Sequence, residues 1–428
     1  MSNFARLRVL NGNARGFYEI PEQGSFLIGR KPACAIAIKS LEVSGEHCSI
    51  ERTGDAAWIK RTGPLPLLLN GEAVDSAKLV EHDVLTIGPA AIVYIAPDKA
   101  RNLKRKDDEI RLDSDGTAAR RTDTKLAQIG KICGDYQICS LLSTRPHLDV
   151  FLGIQTGGKD PLAGFPVALR IPGDATRGKS DTTKNYARSL SILQQLSHKN
   201  LVRLCGHGEY EGAPFIATAF IDGTPLITLT EHGRALYEEL LLHIAIDVLN
   251  GLDYMQKKGF VLRNLSTQNI MVDQQGNAMI INLEQAEKEG VEHSPVEFLA
   301  TAPEDVLRHR PPEFFDDKGT TDIRSDIFIA ASIFYASLAG ATPWEPTQTG
   351  RVGETAILPR MNKDTFTKPP VPLNARVADI GPKIWPALEK ALQPNPAKRY
   401  GKVSDFITAL EAALADVAGR KKKTGKAT

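Results

Sequence analysis

Over the first 97 residues the apolar positions come in short runs, each closed by Gly, Pro, Asn or Asp: RLRVL, GFYEI, SFLIG, AIAI, HCSIE, AWIKR, VLTIG and AIVYIA. Short β-rich runs at this spacing predict strands that close into a sandwich or barrel, and no helical period interrupts them. Residues 98–130 break the pattern. Between Asp98 and Leu126, 16 of 29 residues are charged. Such a stretch buries too little apolar surface to offset its ordering entropy, so it is expected to be a flexible linker. From residue 131 the pattern is mixed. Strand-like runs (FPVALRI, LVRLCGHG, APFIATAF) enclose one helical stretch, YARSLSILQQLSH, and long helical periods follow in ALYEELLLHIAIDVLNGLDYMQKK, SDIFIAASIFYASLAG and KIWPALEKALQ. Strands first and helices afterwards predict an α+β domain of two lobes over 131–418. The closing GRKKKTGKAT, residues 419–428, reads as a basic disordered tail.

The 428-residue length calls for more than one domain. A net charge of +2 gives no global reason to expect nucleic acid or a membrane surface as partner. No apolar run approaches the ~20 residues that span a bilayer, and the opening MSNFARLRVL lacks the features of a signal peptide. The five cysteines, Cys34, Cys48, Cys133, Cys139 and Cys205, are scattered, with no C-x-x-C pair. That argues against a disulfide framework or a zinc site and fits a reducing cytoplasm.

Candidate chemistry appears first in LIGRKPACAIAIKSLEVSGEHCSIE. Here Gly29-Arg30 closes a strand and Ser44-x-x-His47 follows. A guanidinium fork and a hydroxyl suit a phosphate dianion. With the later LLLNGEAV and LVEHDVLTIG, the set resembles the forkhead-associated (FHA) domain, an all-β sandwich that binds phosphothreonine. The resemblance implies phosphate contact through Arg30 and Ser44, a further phosphopeptide contact at Asn70 in the family's second Asn-Gly (Asn70-Gly71), and a bracing role for His47, with Gly29 and Gly71 structural beside the site. Where the family has its first Asn-Gly-Thr, this chain has Leu65-Pro66-Leu67 after Pro64, so the grip on the peptide backbone is altered.

The second constellation is GFVLRNLSTQNIMVD, Gly259 to Asp273, between a long amphipathic helix and the strand-like AMIINLE. Its place resembles the H-R-D-x-K-x-x-N loop of protein kinases, whose signature set can be followed in order. HKNLVRL follows the αC position, Thr218 stands at the gatekeeper, A-P-E is met at 302–304, Asp326 begins the αF helix, and Arg399 stands in NPAKRY. The resemblance implies an ion pair between Glu304 and Arg399. It also marks departures. The three glycine positions of the phosphate loop hold Ser143, Arg145 and Leu148. The strand-three Lys is Arg170, its αC partner is Ser189, H-R-D reads Leu262-Arg263-Asn264, and D-F-G reads Asn282-Leu283-Glu284, with only Asn269 kept. An amide accepts no proton as a carboxylate does, and magnesium favours charged oxygens.

The sequence therefore predicts a multidomain chain: an FHA-like sandwich over 1–97 joined to a bilobal kinase-like fold. The expected function is a scaffold in signalling that is not an enzyme, a pseudokinase with no cofactor and no metal. The alternatives are an unconventional Ser/Thr kinase and a nucleotide-binding regulator. The expected partner is a phosphothreonine protein, either the chain's own linker (Thr117, Thr122, Thr124) or a Ser/Thr kinase, with no nucleic acid and no membrane. The sequence leaves the oligomeric state open.

Overall fold

The computed structural model describes residues 4–100, 104–106, 109–112, 125–145, 147–156, 164–177, 179–231, 235–290, 307–315, 321–344, 348–350, 358–360 and 363–424. The chain forms two compact units. The first comprises residues 1–186 with 204–222, and the second comprises 187–203 with 223–428.

The first unit opens with ten strands: β1 (Arg6–Val9), β2 (Gly16–Glu19), β3 (Ser25–Gly29), β4 (Ile36–Ala37), β5 (Cys48–Thr53), β6 (Ala56–Arg61), β7 (Leu67–Leu69), β8 (Glu72–Leu79), β9 (Val84–Ile87) and β10 (Ala90–Ile95). They hydrogen-bond in the order β2-β1-β10-β9-β7-β8-β6-β5-β3-β4. Alternate residues such as Leu7, Ile28, Ile50, Ile59 and Ile92 fill one apolar core. This is the sandwich that the short alternating runs predict.

The segment expected to be a flexible linker is in part ordered. A further strand, β11 (Ile110–Leu112), pairs antiparallel with β8. Lys78 Nζ donates to Glu109 Oε1 at 2.7 Å, and Arg105 pairs with the buried Asp83. The charged residues of this stretch thus meet complementary charges on the sandwich, which composition alone does not reveal. Residues 113–124, with the three candidate threonines, lie outside the described residues.

A six-stranded antiparallel sheet follows in the same unit: β12 (Ile132–Cys133), β13 (Tyr136–Arg145), β14 (Leu148–Gln155), β15 (Pro166–Pro172), β16 (Leu204–Tyr210) and β17 (Ala213–Ala219), in the order β12-β13-β14-β15-β17-β16. It shares an apolar core with the sandwich. Leu10, Val84, Ala91 and Val93 pack with Ile129, Cys139, Leu152 and Ile154, with Leu126 and Phe220 against them. Gln137 Nε2 donates to the His82 carbonyl at 2.6 Å, and Gly12 N donates to Asp222 Oδ1 at 3.1 Å. Residue 97 is therefore the end of the sandwich strands and not the edge of an independent body.

Helix α1 (Ser180–Gln195) leads from the first unit into the second. The second unit contains α2 (Leu226–Leu229), α3 (Glu238–Lys257), α4 (Ile323–Ala339), α5 (Ile384–Ala391) and α6 (Val403–Thr424). Short strands flank its loops: β18 (Gly223–Pro225), β19 (Phe260–Val261), β20 (Ile270–Asp273), β21 (Ala278–Ile280), β22 (Glu287–Lys288), β23 (Gln348–Gly350) and β24 (Leu358–Arg360). α3 packs against α4 and α6. Nearly every side chain of α4 from Ile323 to Leu338 is buried, as expected for a helix that is apolar all round. Its N-terminus is capped by Asp322, whose side chain accepts from Arg324 N, and it stops at Gly340 with φ of 68°. α6 continues to Thr424, so most of the expected disordered tail is helical. No described helix is long and apolar enough to cross a membrane.

Candidate functional site

In the sandwich, Gly29 ends β3 and presents Arg30 in the following bend, with the Arg30 side chain exposed and in no ion pair among the described residues. The backbone fixes this corner. Arg30 N donates to the Ser44 carbonyl at 2.9 Å, and Lys31 N to the Gly45 carbonyl at 3.0 Å. Ser44 N donates to His47 Nδ1 at 3.2 Å, and His47 Nε2 donates to the Pro66 carbonyl at 3.1 Å. Burial holds the His47 imidazole below its usual range, which keeps it neutral and preserves this one-donor, one-acceptor arrangement. His47 thus ties the Ser44 loop to the 62–66 segment.

Ser44 is largely covered. Leu65 N donates to its Oγ at 3.2 Å, and a Cβ on Gly63 would collide with the Ser44 side chain. The Ser44 hydroxyl proton remains to be donated. Leu65, standing where a peptide-gripping amide was expected, therefore secures the serine through its backbone.

Asn70 departs from its expected peptide contact. It lies at the far end of β7 from Pro66, with φ of 51°. Its Nδ2 donates to Asp83 Oδ1 at 2.8 Å, and its Oδ1 accepts from Val84 N at 2.9 Å. A Cβ on Gly71, whose φ is 83°, would run into the Leu126 carbonyl. The Asn-Gly turn serves the junction between sandwich and second sheet, so Asn70 is a bracing residue and not part of the phosphate corner.

In the second unit the loop from Leu262 to Asn269 is held from several sides. Asp326, fully buried at the start of α4, accepts from Leu262 N at 2.7 Å and Arg263 N at 2.8 Å. Burial pushes its carboxyl up to about 6, against the pull of those two N–H groups and of Arg310 and Arg263. Arg263 adopts a left-handed backbone with φ of 62°, a conformation that persists in a non-glycine residue only when its surroundings impose it. Its guanidinium meets Glu287 at 2.7 Å, and its carbonyl accepts from Arg310.

Two side-chain amides and the main-chain carbonyl of Asn264 form a chain. Asn282 Nδ2 donates to Asn269 Oδ1 at 2.7 Å, and Asn269 Nδ2 donates to the Asn264 carbonyl at 2.9 Å. Asn282, like Arg263, has a left-handed backbone. A kinase loop of this kind implies a divalent metal held by the loop Asn and by the residue at the Asn282 position. These residues do not fit magnesium. One amide oxygen already accepts from the neighbouring amide, both donors are neutral, and no group of three or more His, Cys, Asp or Glu among the described residues could hold a metal.

Arg170 lies on β15 and Ser189 on α1, each half-buried and in separate units. In place of a glycine-rich loop, β13 and β14 stay paired as far as Arg145 and Leu148.

The expected Glu304–Arg399 pair is corrected. Glu304 lies outside the described residues, and Arg399 instead grips Glu313 with both arms of its fork, Nη1 to Oε1 at 2.6 Å and Nη2 to Oε2 at 2.8 Å. The sequence carries two Pro-Glu pairs nine residues apart, at 303–304 and 312–313. Burial of the second decides between them. Sequence reading also passed over Glu287 and Arg310, which belong to no motif and act only through ion pairs and hydrogen bonds that the fold assembles.

A protein kinase domain profile matches residues 166–411, more than half of the chain. The chain belongs to the protein kinase family. An FHA domain profile matches residues 26–88, so the chain joins an FHA domain to a protein kinase domain. A probable serine/threonine-protein kinase PknB of Bifidobacterium longum is 23% identical over 64% of this chain and 39% of the relative. One of Lactococcus lactis is 23% identical over 66% and 43%. An Aurora kinase of Schizosaccharomyces pombe is 26% identical over 56% and 62%. The chain thus spans about two fifths of the length of those two bacterial relatives. A crystal structure of Rad53 1–466 in complex with AMP-PNP aligns over 94% of this chain and 98% of its own, with 17% identity and a TM-score of 0.49.

The expectation that this chain is not an enzyme is overturned by these matches. The family is that of protein kinases, and the bacterial relatives are named as serine/threonine kinases. The amides at 264 and 282 are departures within that family and do not by themselves define a protein outside its chemistry.

Proposed function

We propose that this protein is a signalling kinase of unconventional site, in which an FHA domain reads a phosphothreonine partner and the kinase domain transfers phosphate to Ser or Thr. The observation that carries the kinase half is the bracing of the loop. Asp326, Glu287 and Arg310 hold Leu262 and Arg263 from three sides, an arrangement that serves a loop required to keep one geometry. Asn264 orients an acceptor hydroxyl without taking its proton, which passes to a phosphate oxygen or to water as the new O–P bond forms and the bond from the γ-phosphorus to ADP breaks. A positioned base contributes ~10²–10⁴-fold, so turnover is expected to fall short of a typical kinase by about that factor.

The FHA half rests on Arg30, exposed beside a Ser44 hydroxyl that keeps its proton for donation. With Leu65 and Pro64 in place of peptide-gripping groups, affinity is expected to be modest and flanking preference relaxed. The partner is a phosphothreonine protein, with the chain's own 113–124 segment and a second Ser/Thr kinase as the leading choices.

The test is transfer of labelled γ-phosphate from ATP to Ser/Thr peptides by the full chain, beside Asn269→Ala. Transfer lost in that variant supports the reading. No transfer by the wild type, or equal transfer by both, overturns it.

A further inference from the structure

The loop carrying Asn264 and Asn269 is fixed by a charge cluster that no motif describes. Glu287 begins β22, directly across the two-stranded ladder from Val261. The ladder places its carboxylate beside the loop. One carboxylate oxygen meets Arg263 Nη1 at 2.7 Å, and the other pairs with Arg188, on the half of α1 that belongs to the second unit. The Glu287 and Arg263 side chains are 7% and 10% exposed, whereas that of Arg188 is 50% exposed.

Two guanidiniums from different elements thus converge on one largely dry carboxylate. Without it, the largely buried Arg263 would lose this counter-charge while still facing the like charge of Arg188, and α1 would lose this ionic tie to the loop. We propose that Glu287 is the positioning residue of this site: a permanent anion that clamps α1 to the 262–269 loop, so that the loop is set without any covalently added phosphate. The proposal rests on the kinase reading only where activity is concerned. The clamp itself can be tested without turnover.

The experiment compares the full-length wild type with Glu287→Gln, Glu287→Asp and Arg188→Ala by hydrogen exchange of residues 187–196 and 260–266. Arg188→Ala, at the exposed end of the cluster, guards against a variant that fails to fold. Loss of a charged hydrogen bond should raise exchange in both stretches by about tenfold or more, with the sandwich unchanged. Glu287→Asp should protect them better than Glu287→Gln, because a clamp depends on charge while simple packing depends on shape. Unchanged exchange in Glu287→Gln and Arg188→Ala, or Gln protecting as well as Asp, overturns the proposal. In a second arm, wild type treated with phosphatase should transfer phosphate at the untreated rate, and loss of transfer on treatment would equally overturn it. If the wild type shows no transfer at all, the kinase reading fails and the exchange arm alone decides the clamp.

Discussion

Replacing Glu313 with Ala should be the most damaging single change in the second unit outside its apolar core. The Arg399 side chain is 0% exposed and that of Glu313 11%. Arg399 also donates Nε to the Gln393 carbonyl at 2.7 Å and lies over the Phe328 ring at 4.7 Å. It cannot move to solvent when its partner goes. Glu313 accepts from Ser325 Oγ at 2.7 Å as well, so its loss takes that acceptor from the hydroxyl and the counter-charge from a buried guanidinium. Breaking a buried pair from one side costs about 3–5 kcal/mol. For a body of this size each kcal/mol is worth roughly 2–4 °C, so Glu313→Ala should melt about 6–20 °C early. The assay is calorimetry of the full chain, with Glu304→Ala as comparison and Glu313→Leu/Arg399→Met as the paired replacement. The double variant should be less destabilised than either single change summed with the other, because it leaves no buried charge behind. If Glu304→Ala melts early while Glu313→Ala melts like wild type, the assignment of the pair is wrong.

Three further outcomes are expected. Titrated into the full chain, a phosphothreonine peptide should bind roughly ten- to a hundredfold more weakly to Arg30→Ala than to wild type, and equal binding would remove Arg30 from the site. Burial and the flanking Arg308 and Arg310 push the His309 imidazole down to about 3, so the unfolded chain binds its proton first; that contribution is complete above about pH 6.5, declines as pH falls towards 3, and should vanish in His309→Asn, as chemical denaturation across pH will show. A fragment ending at residue 97 would uncover Leu10, Val84 and Val93, each worth about 1.5–3 kcal/mol buried, so it should bind a hydrophobic dye and unfold more readily than the intact protein; a fragment as stable as the full chain would refute the shared core.

Much of the architecture was legible because it rests on period. Alternation in RLRVL or AWIKR marks a half-buried strand whatever its neighbours, and the all-apolar face of α4 marks a buried helix. That Arg30 and Ser44 share a corner follows from their place on local loops beside such strands. What failed depended on partners distant in sequence. Asn70-Gly71 signals a turn equally well whether its amide faces a peptide or, as here, Asp83. The two Pro-Glu pairs are indistinguishable until one meets Arg399. The charged 98–130 segment looked unable to order itself because its counter-charges, Lys78 and Asp83, lie elsewhere. Glu287 offers no local signal at all, since its role exists only once α1, β22 and the loop come together.

The apolar core shared by the sandwich and the second sheet sets a schedule for the nascent chain. Val84, Ala91 and Val93 are made well before Cys139, Leu152 and Ile154, which cover them. About sixty residues separate Val93 from Ile154, and at roughly 5–20 residues per second the uncovered face waits some 3–12 s on the ribosome. The first unit is not complete until the chain reaches Asp222, whose carboxylate accepts from Gly12 N near the start of the sequence. A newly made sandwich therefore presents an oily strand face to the cell for seconds, long enough for chaperones or a second nascent copy to find it, and slower synthesis over residues 94–154 should lower the yield of native protein.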